Sequence, residues 1–252
     1  MAKKAVIEDI LEIPTKKGLA YAQFSHYHEP PPTFGHIIRV LHGFYQERPK
    51  SFQLLADQKE IYYTLYPLQA VLNGGNLNIV GHAEIPEFAR KFPLFRSGCA
   101  NQQTGKVDVW WLWDGTKEWK IGQLTEEQMD LPLRASWGTP VLISRIEEGW
   151  TPRYEEAFRQ AKRLRNKVEK TPSIKAVRHF LLFEDKGIAE NARQLVNDAG
   201  FESNLVDHGT GFILGVRQGM PLTEEYIENL TIKLTEIARK AGGRYDAWET
   251  EL

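Results

Sequence analysis

The chain has 252 residues, a length that two domains of roughly 100–200 residues each can fill. An apolar fraction of 42% and a charged fraction of 26% are those of a globular protein and exclude a disordered or collagen-like chain. Lys and Arg total 32 and Asp and Glu total 33, and this near-neutral balance argues against a dedicated nucleic-acid binder, which usually carries a strong basic excess.

The sequence shows no signal peptide and no membrane span. Acidic residues interrupt the apolar run in MAKKAVIEDILEIP, and no stretch approaches the roughly 18 uninterrupted apolar residues of a membrane-spanning helix. Cys99 is the single cysteine, so the chain cannot form an internal disulfide. We therefore expect a cytoplasmic protein that does not contact a membrane.

Residues 1–150 read as short β-strands separated by turn sequences such as TKKG, EPPPTFG and NGGN. The clearest hairpin is VDVWWLW-DG-TKEWKIG, because Asp114-Gly115 suits a two-residue type I′ turn. Ala20 and Ala22 are small, as barrel interiors often require. The pattern predicts a mostly antiparallel, barrel-like β domain with one short helix in PEFARKF.

Residues 151–172 read as a helical connector. Seven basic and three acidic side chains fall between residues 153 and 170. A solvated helix face explains this mixture better than a nucleic-acid arm, because such arms usually carry blocks of about five or six like charges. We therefore expect no direct contact with nucleic acid.

Residues 173–252 alternate between strand and helix patterns. SIKAVRHFLLFED reads as a buried strand, and a helix that ends at Gly200 follows it. Two short strands, FESNLV and GFILGVRQ, precede a helix capped by Thr223, and RYDAWETEL must then be extended. The order β-α-β-β-α-β is the ferredoxin-like pattern, so the whole chain is predicted to be an α+β protein.

No catalytic or metal-binding motif emerges. His26 and His28 have the i, i+2 spacing of a chelating pair, but a polar strand end explains them better without a Cys pair or an HExxH motif. Cys99 has no signature of a nucleophile around it, and the glycine-rich motifs of nucleotide sites are absent. We expect a protein that is not an enzyme and that uses no metal and no cofactor.

Tryptophans crowd into the region that precedes the connector. Most of them can be core filler of a small β domain. The strand at 109–113 is nevertheless apolar on both faces, so one face is covered or awaits a partner. Trp110, Trp113 and Trp119 are therefore candidate anchors for a protein partner.

The closing stretch GGRYDAWETEL supplies the other candidate partner-binding residues. Strand alternation places Tyr245 and Ala247 on one face and Asp246 and Trp248 on the other. A ring among carboxylates suits a basic partner surface, so Asp246, Trp248, Glu249 and Glu251 form the second candidate set. The alternative is that the rings are core and the acids solvate an edge strand.

Three stretches of the first part carry a resemblance to a known family: EDILEIPTKKGLAYAQFSHY, GHIIRVLHGFY and WGTPVLISRIEEGW. Over about residues 5–150 the chain resembles the immunity protein 26 family, a family of predicted bacterial immunity proteins. This resemblance implies a non-catalytic protein that binds a cognate toxin in the cytoplasm and neutralises it.

The second part resembles the regulator of ribonuclease E activity B (RraB-type) domain, chiefly through the ending MPLT…GG-x-YD-x-W, over about residues 173–252. This resemblance implies a ferredoxin-like fold and an inhibitor of an RNA-processing endonuclease. The main interpretation is an immunity protein, and the alternative is a regulator of a ribonuclease E-type enzyme. A third hypothesis is an enzyme or metal protein built around His26, His28 and Cys99. The sequence leaves the oligomeric state open.

Overall fold

The computed structural model describes residues 4–252, which divide into two compact units. The first unit is formed by the chain up to Ala100 and by Val107–Arg153. The second is formed by Asn101–Lys106 and Tyr154–Leu252. No helix within residues 4–252 is long and apolar enough to cross a membrane.

The first unit contains two antiparallel sheets. Its strands are β1 (Asp9–Thr15), β2 (Gly18–His28), β3 (Gly35–Val40), β4 (Tyr62–Leu65), β5 (Asn78–His82), β6 (Phe95–Ser97), β7 (Trp110–Trp113) and β8 (Glu118–Gly122). The larger sheet has the order β4-β3-β2-β1-β5, and the smaller has the order β6-β7-β8. Antiparallel pairing was predicted from the sequence and is present throughout these two sheets.

The predicted barrel is not confirmed. Strands β4 and β5 stand at opposite edges of the larger sheet, and no closed sheet occurs among the described residues. Ala20 and Ala22 on β2 are buried as expected, but on a strand of an open sheet. Small buried residues report only that neighbouring elements approach closely, which open sheets also require.

The predicted hairpin is present, with a longer turn. Trp113 pairs with Glu118, so four residues connect β7 to β8 instead of two. The Asp114 carboxylate accepts hydrogen bonds from the backbone N–H groups of Lys117 and Thr116. These hydrogen bonds stabilise the carboxylate and lower the pKa of Asp114 to about 2, and the bond from Lys117 has the largest effect. Gly115 adopts a φ of 93°, the left-handed conformation that favours glycine.

Helices are more frequent in the first unit than the sequence predicted. They are α1 (Phe52–Ala56), α2 (Leu68–Asn73) and α3 (Thr139–Glu147), with a 3-10 turn at Glu87–Ala89 in the stretch predicted to be helical. Helix α3 begins after Gly138 with Pro140 in its first turn, where proline is tolerated. Leu142 and Ile146, four residues apart, are its buried side chains.

The second unit has the predicted β-α-β-β-α-β order after an additional helix. Its elements are α4 (Glu155–Lys170), β9 (Ala176–Phe183), α5 (Lys186–Asp198), β10 (Glu202–Asp207), β11 (Phe212–Gln218), α6 (Glu224–Lys240) and β12 (Arg244–Glu251). The strands form one antiparallel sheet in the order β10-β11-β9-β12. The Thr223 hydroxyl caps α6 by accepting a hydrogen bond from the Tyr226 N–H, as predicted.

Helices α5 and α6 cover one face of this sheet. The core between these helices and the sheet contains alternate residues of the two central strands. They are Leu181 and Phe183 on β9 and Leu214 and Val216 on β11. A second cluster joins α4 to α6 and to the start of β9 through Leu164, Ile227 and Val177. All three helices therefore lie on the same side, and the other side of the sheet forms the surface described next.

Candidate protein-interaction face

The side of the four-stranded sheet that faces away from the helices is here called the open face. Its residues alternate with the core residues along each strand, and register places them in rows that cross the sheet. They are Glu202, Asn204 and Val206 on β10, Ile213, Gly215 and Arg217 on β11, Arg178, Phe180 and Leu182 on β9, and Arg244, Ala247, Glu249 and Glu251 on β12. The two ends of this face differ in chemistry.

One end, the charged end, is an ion-pair network across all four strands. The Glu251 carboxylate lies 2.8 Å from Arg178 Nη2 and 3.0 Å from Arg217 Nε, so it joins β12 to both central strands. Glu249 lies 3.6 Å from Arg178, and Glu202 lies 3.9 Å from Arg217. Each acid at this end therefore faces an arginine of the same surface, which offsets its charge.

We expect Glu251→Gln to lower the free energy of unfolding by about 1 kcal/mol or less, because its partners are partly exposed. Glu249→Gln is the matched control and should cost less, since Glu249 makes one longer contact. Chemical denaturation at low and high salt measures the difference, which should shrink with salt. An effect of Glu251→Gln that is independent of salt would contradict an electrostatic origin.

The other end, the apolar end, carries hydrocarbon side chains. Val206 is 48% exposed, and Phe180, Leu182, Ile213 and Ala247 are each half-buried. These residues lie beside one another in the register of β10, β11, β9 and β12. A contiguous apolar area framed by charged residues is the usual composition of a protein-binding surface.

The closing strand departs from the predicted alternation at Asp246. The pairing of β12 with β9 shifts between Tyr245 and Ala247, so Asp246 is the extra residue of a β-bulge. Tyr245 and Trp248 consequently share the helix-covered face, whereas alternation had placed them on opposite faces. Trp248 packs on the cluster that α4 and α6 form, and Tyr245 packs on the core between α5 and α6.

Asp246 contacts a basic residue within the second unit. Its carboxylate pairs with Lys106 Nζ. Lys106 belongs to the segment Asn101–Lys106, whose Thr104 carbonyl accepts a hydrogen bond from Gln160 Nε2. Of the four candidate residues on β12, Glu249 and Glu251 lie on the open face, Trp248 lies under the helices, and Asp246 occupies the bulge.

The tryptophans of the first unit differ in exposure. Trp110 and Trp113 are 2% and 5% exposed, so the structure places both in the core, where a partner cannot reach the rings. Trp119 is 39% exposed on β8, and Trp111, which was not among the candidates, is 40% exposed on β7. The residues predicted as anchors thus do not form one surface within the first unit.

The histidines that the sequence raised as metal ligands contact backbone carbonyls. His26 Nε2 lies 3.1 Å from the Arg90 carbonyl oxygen, and His28 Nε2 lies 2.8 Å from that of Gly115. Within residues 4–252, no group of three or more His, Cys, Asp or Glu side chains is placed to hold a metal ion. Each of the two histidines is therefore held by a backbone carbonyl of the first unit.

A polar cluster lies inside the core of the second unit. His179 on β9 is fully buried, with Nε2 at 2.8 Å from Gln218 Oε1 and Nδ1 at 2.7 Å from the Tyr245 hydroxyl. Since Gln218 Oε1 only accepts, His179 Nε2 donates to it and Nδ1 accepts from Tyr245. Burial lowers the pKa of His179 to about 4 and raises the pKa of Tyr245. Both groups are therefore neutral at pH 7 and fix β9, β11 and β12 together.

Comparison with known protein families finds a match within the second unit. Residues 160–250 match the family of Regulator of ribonuclease activity B. The match begins within α4 and includes every strand of the sheet that carries the open face. A search of curated proteins found no match to the chain.

The family match bears on one of the two resemblances seen in the sequence, that of the second part of the chain. The RraB-type resemblance is confirmed over residues 160–250. The resemblance of the first part to immunity protein 26, and the toxin-neutralising function that it implied, receive no support. The match favours the alternative interpretation, a regulator of a ribonuclease, over the immunity protein.

Proposed function

We propose that the protein is a non-catalytic regulator of an RNA-processing endonuclease of the ribonuclease E type, and that it acts through its second unit. The observation that carries the proposal is the family match over residues 160–250. On this proposal the unit has a ferredoxin-like fold, binds the enzyme as a protein partner and uses no cofactor. The proposed location is the cytoplasm, together with its target.

We further propose that the open face is the surface that contacts the enzyme. Its apolar end leaves hydrocarbon surface exposed, and covering such surface is the main source of free energy in protein association. The charged end pairs its acids internally, so it contributes orientation more than affinity. This placement assigns Glu249 and Glu251 to the rim of the interface and Trp248 to the core.

The unit that carries this activity includes α4. Removing the chain before residue 172 would strip Leu164 and Ala161 from Val177, Ile227 and Trp248 and expose their apolar surface. We therefore propose residues 154–252 as the smallest fragment that retains the packing of β12 on the helices. The sequence-based boundary at 173 would omit that support.

Cleavage of RNA by the purified endonuclease from the same source tests this function. We expect the protein to slow cleavage and Val206→Asp to weaken this inhibition by about tenfold or more, because a charge enters the apolar end. Val206 is already exposed on an edge strand, so the change leaves the core intact.

Leu195→Asp is the matched control. Leu195 is 51% exposed on α5, on the helix side of the same unit. Equal inhibition by wild type and Leu195→Asp, with weaker inhibition by Val206→Asp, would support the open face. If wild type neither binds the enzyme nor changes the cleavage rate, the proposed function is wrong.

A further inference from the structure

A cavity of about 550 Å³ lies where the apolar end of the open face meets the loops of the second unit. Leu182 and Ile213 belong both to the apolar end and to the cavity wall. The remaining wall comes from the end of β9, from the loop between β10 and β11 and from the turn that leads into β12. Its volume lies in the roughly 300–1,000 Å³ range of protein ligand pockets.

Two glycines allow the loops to close around the end of β9. A Cβ atom on Gly243 would lie 2.3 Å from the Phe183 ring, and a Cβ atom on Gly211 would lie 2.7 Å from the Phe183 carbonyl oxygen. No other residue type fits at such distances without a backbone shift. Both glycines therefore let the loops that line the cavity approach the end of β9 closely.

Arg244 gives the cavity a charged group that is available to a partner. It lies opposite Leu182 in the β12–β9 register, on the open face, and its side chain is exposed. Among the described residues its guanidinium has no ion-pair or hydrogen-bond partner, whereas Asp246 at the same cavity is paired with Lys106. A guanidinium presents parallel donors that match the two oxygens of a carboxylate.

We propose that this cavity receives an apolar anchor side chain of a protein partner and that Arg244 pairs with a carboxylate next to that anchor. The inference rests on the proposed function only in placing a protein on the open face. A cavity continuous with an exposed apolar area suits an anchor whose neighbours cover that area. A small molecule confined to the cavity would leave the area exposed.

Within residues 4–252, Arg244, rather than Glu184, is the unpaired charged residue of the cavity that lies on the open face. Glu184 also lines the cavity without an ion-pair partner among the described residues, but it follows the end of β9 and lies outside the rows of the open face. Arginine is enriched at the centres of interfaces, and glutamate is depleted there. Arg244 is therefore the charged residue that contacts the partner, and Glu184 lies at the margin of the interface.

A random peptide library displayed on phage tests the proposal without the endonuclease. Panning on the full chain should enrich peptides in which an aromatic or aliphatic residue lies one or two positions from Asp or Glu. Binding of these peptides should fall about tenfold or more in Arg244→Glu, because attraction becomes repulsion. The control Lys162→Glu makes the same charge change on an exposed residue of α4 and should leave binding unchanged.

A charge swap sharpens the test. Panning on Arg244→Glu should select peptides in which Lys or Arg replaces the acid beside the same kind of anchor. A consensus that ignores residue 244, or binding of single-stranded RNA that depends on Arg244 in place of peptides, would overturn the proposal. Competition with the endonuclease separates the two ideas: peptides that bind as expected but do not displace the enzyme would leave the cavity assigned and refute the proposed partner.

Discussion

Trp248→Ala is expected to destabilise the second unit by about 2–4 kcal/mol. This is less than the usual cost of a Trp→Ala change in a core, because Trp248 is only partly buried. The ring packs against Leu164 of α4, Ile227 of α6 and Val177 of β9, so its removal leaves a cavity among three elements. Amide hydrogen exchange of β9 and α6 in the full chain measures the loss locally, which a single melting temperature for two units does not.

Trp119→Ala is the matched control for this prediction. Trp119 is 39% exposed on a hairpin of the first unit, and its loss should leave protection in β9 and α6 unchanged. The opposite interpretation of Trp248, an anchor that a partner covers, makes a different forecast. Protection unchanged in Trp248→Ala, together with weaker binding to the endonuclease, would return Trp248 to the interface.

Most of the second unit could be predicted because its local signals agree with one another. Thr223 begins a helix whose apolar side chains recur at helical spacing, and Gly200 closes another at a φ of 87°. Short strands with turn sequences between them complete the β-α-β-β-α-β order. Each signal involves residues within one or two turns of each other, which a single sequence displays.

The open face was missed because the residues of an interface resemble those of a core. The run AVRHFLLF reads as a buried strand from the sequence, since Phe180 and Leu182 are as apolar as their neighbours Leu181 and Phe183. From Val177 onward, buried and half-buried residues alternate, with Leu181 and Phe183 under the helices. Apolar residues on the solvent side conceal the period of two by which a half-buried strand is recognised.

The bulge at Asp246 and the open sheet of the first unit depend on contacts between distant residues. Trp248 reaches the helix-covered face because α4, far away in the chain, supplies Leu164 as part of its pocket. Likewise, β4 and β5 lie at opposite edges of the larger sheet. The sequence of either strand alone does not determine whether the two pair. Register and closure follow from packing of whole elements, which alternation within one strand does not report.

Acidification should destabilise the second unit through His179. Its pKa is about 4 in the folded protein because of burial, against 6.5 for the free side chain. Between these values the unfolded chain holds one more proton than the folded chain, so the free energy of unfolding falls as pH falls. The contribution of His179 to the free energy of unfolding is complete above pH 6.5. About 3 kcal/mol of it is lost by pH 4, and about 2 kcal/mol of that loss falls between pH 7 and pH 5.

Hydrogen exchange of the β9 amides at pH 7 and pH 5, corrected for the pH dependence of intrinsic exchange, measures this loss above the range where most carboxylates titrate. His208 is exposed in the loop between β10 and β11, so His208→Gln should retain the full difference between the two pH values. His179→Gln lowers stability at pH 7 because it disturbs the bonds to Gln218 and Tyr245, yet it should remove the difference between pH 7 and pH 5. A difference that persists in His179→Gln would assign the acid sensitivity of the sheet to another group and leave the buried imidazole with a purely structural role.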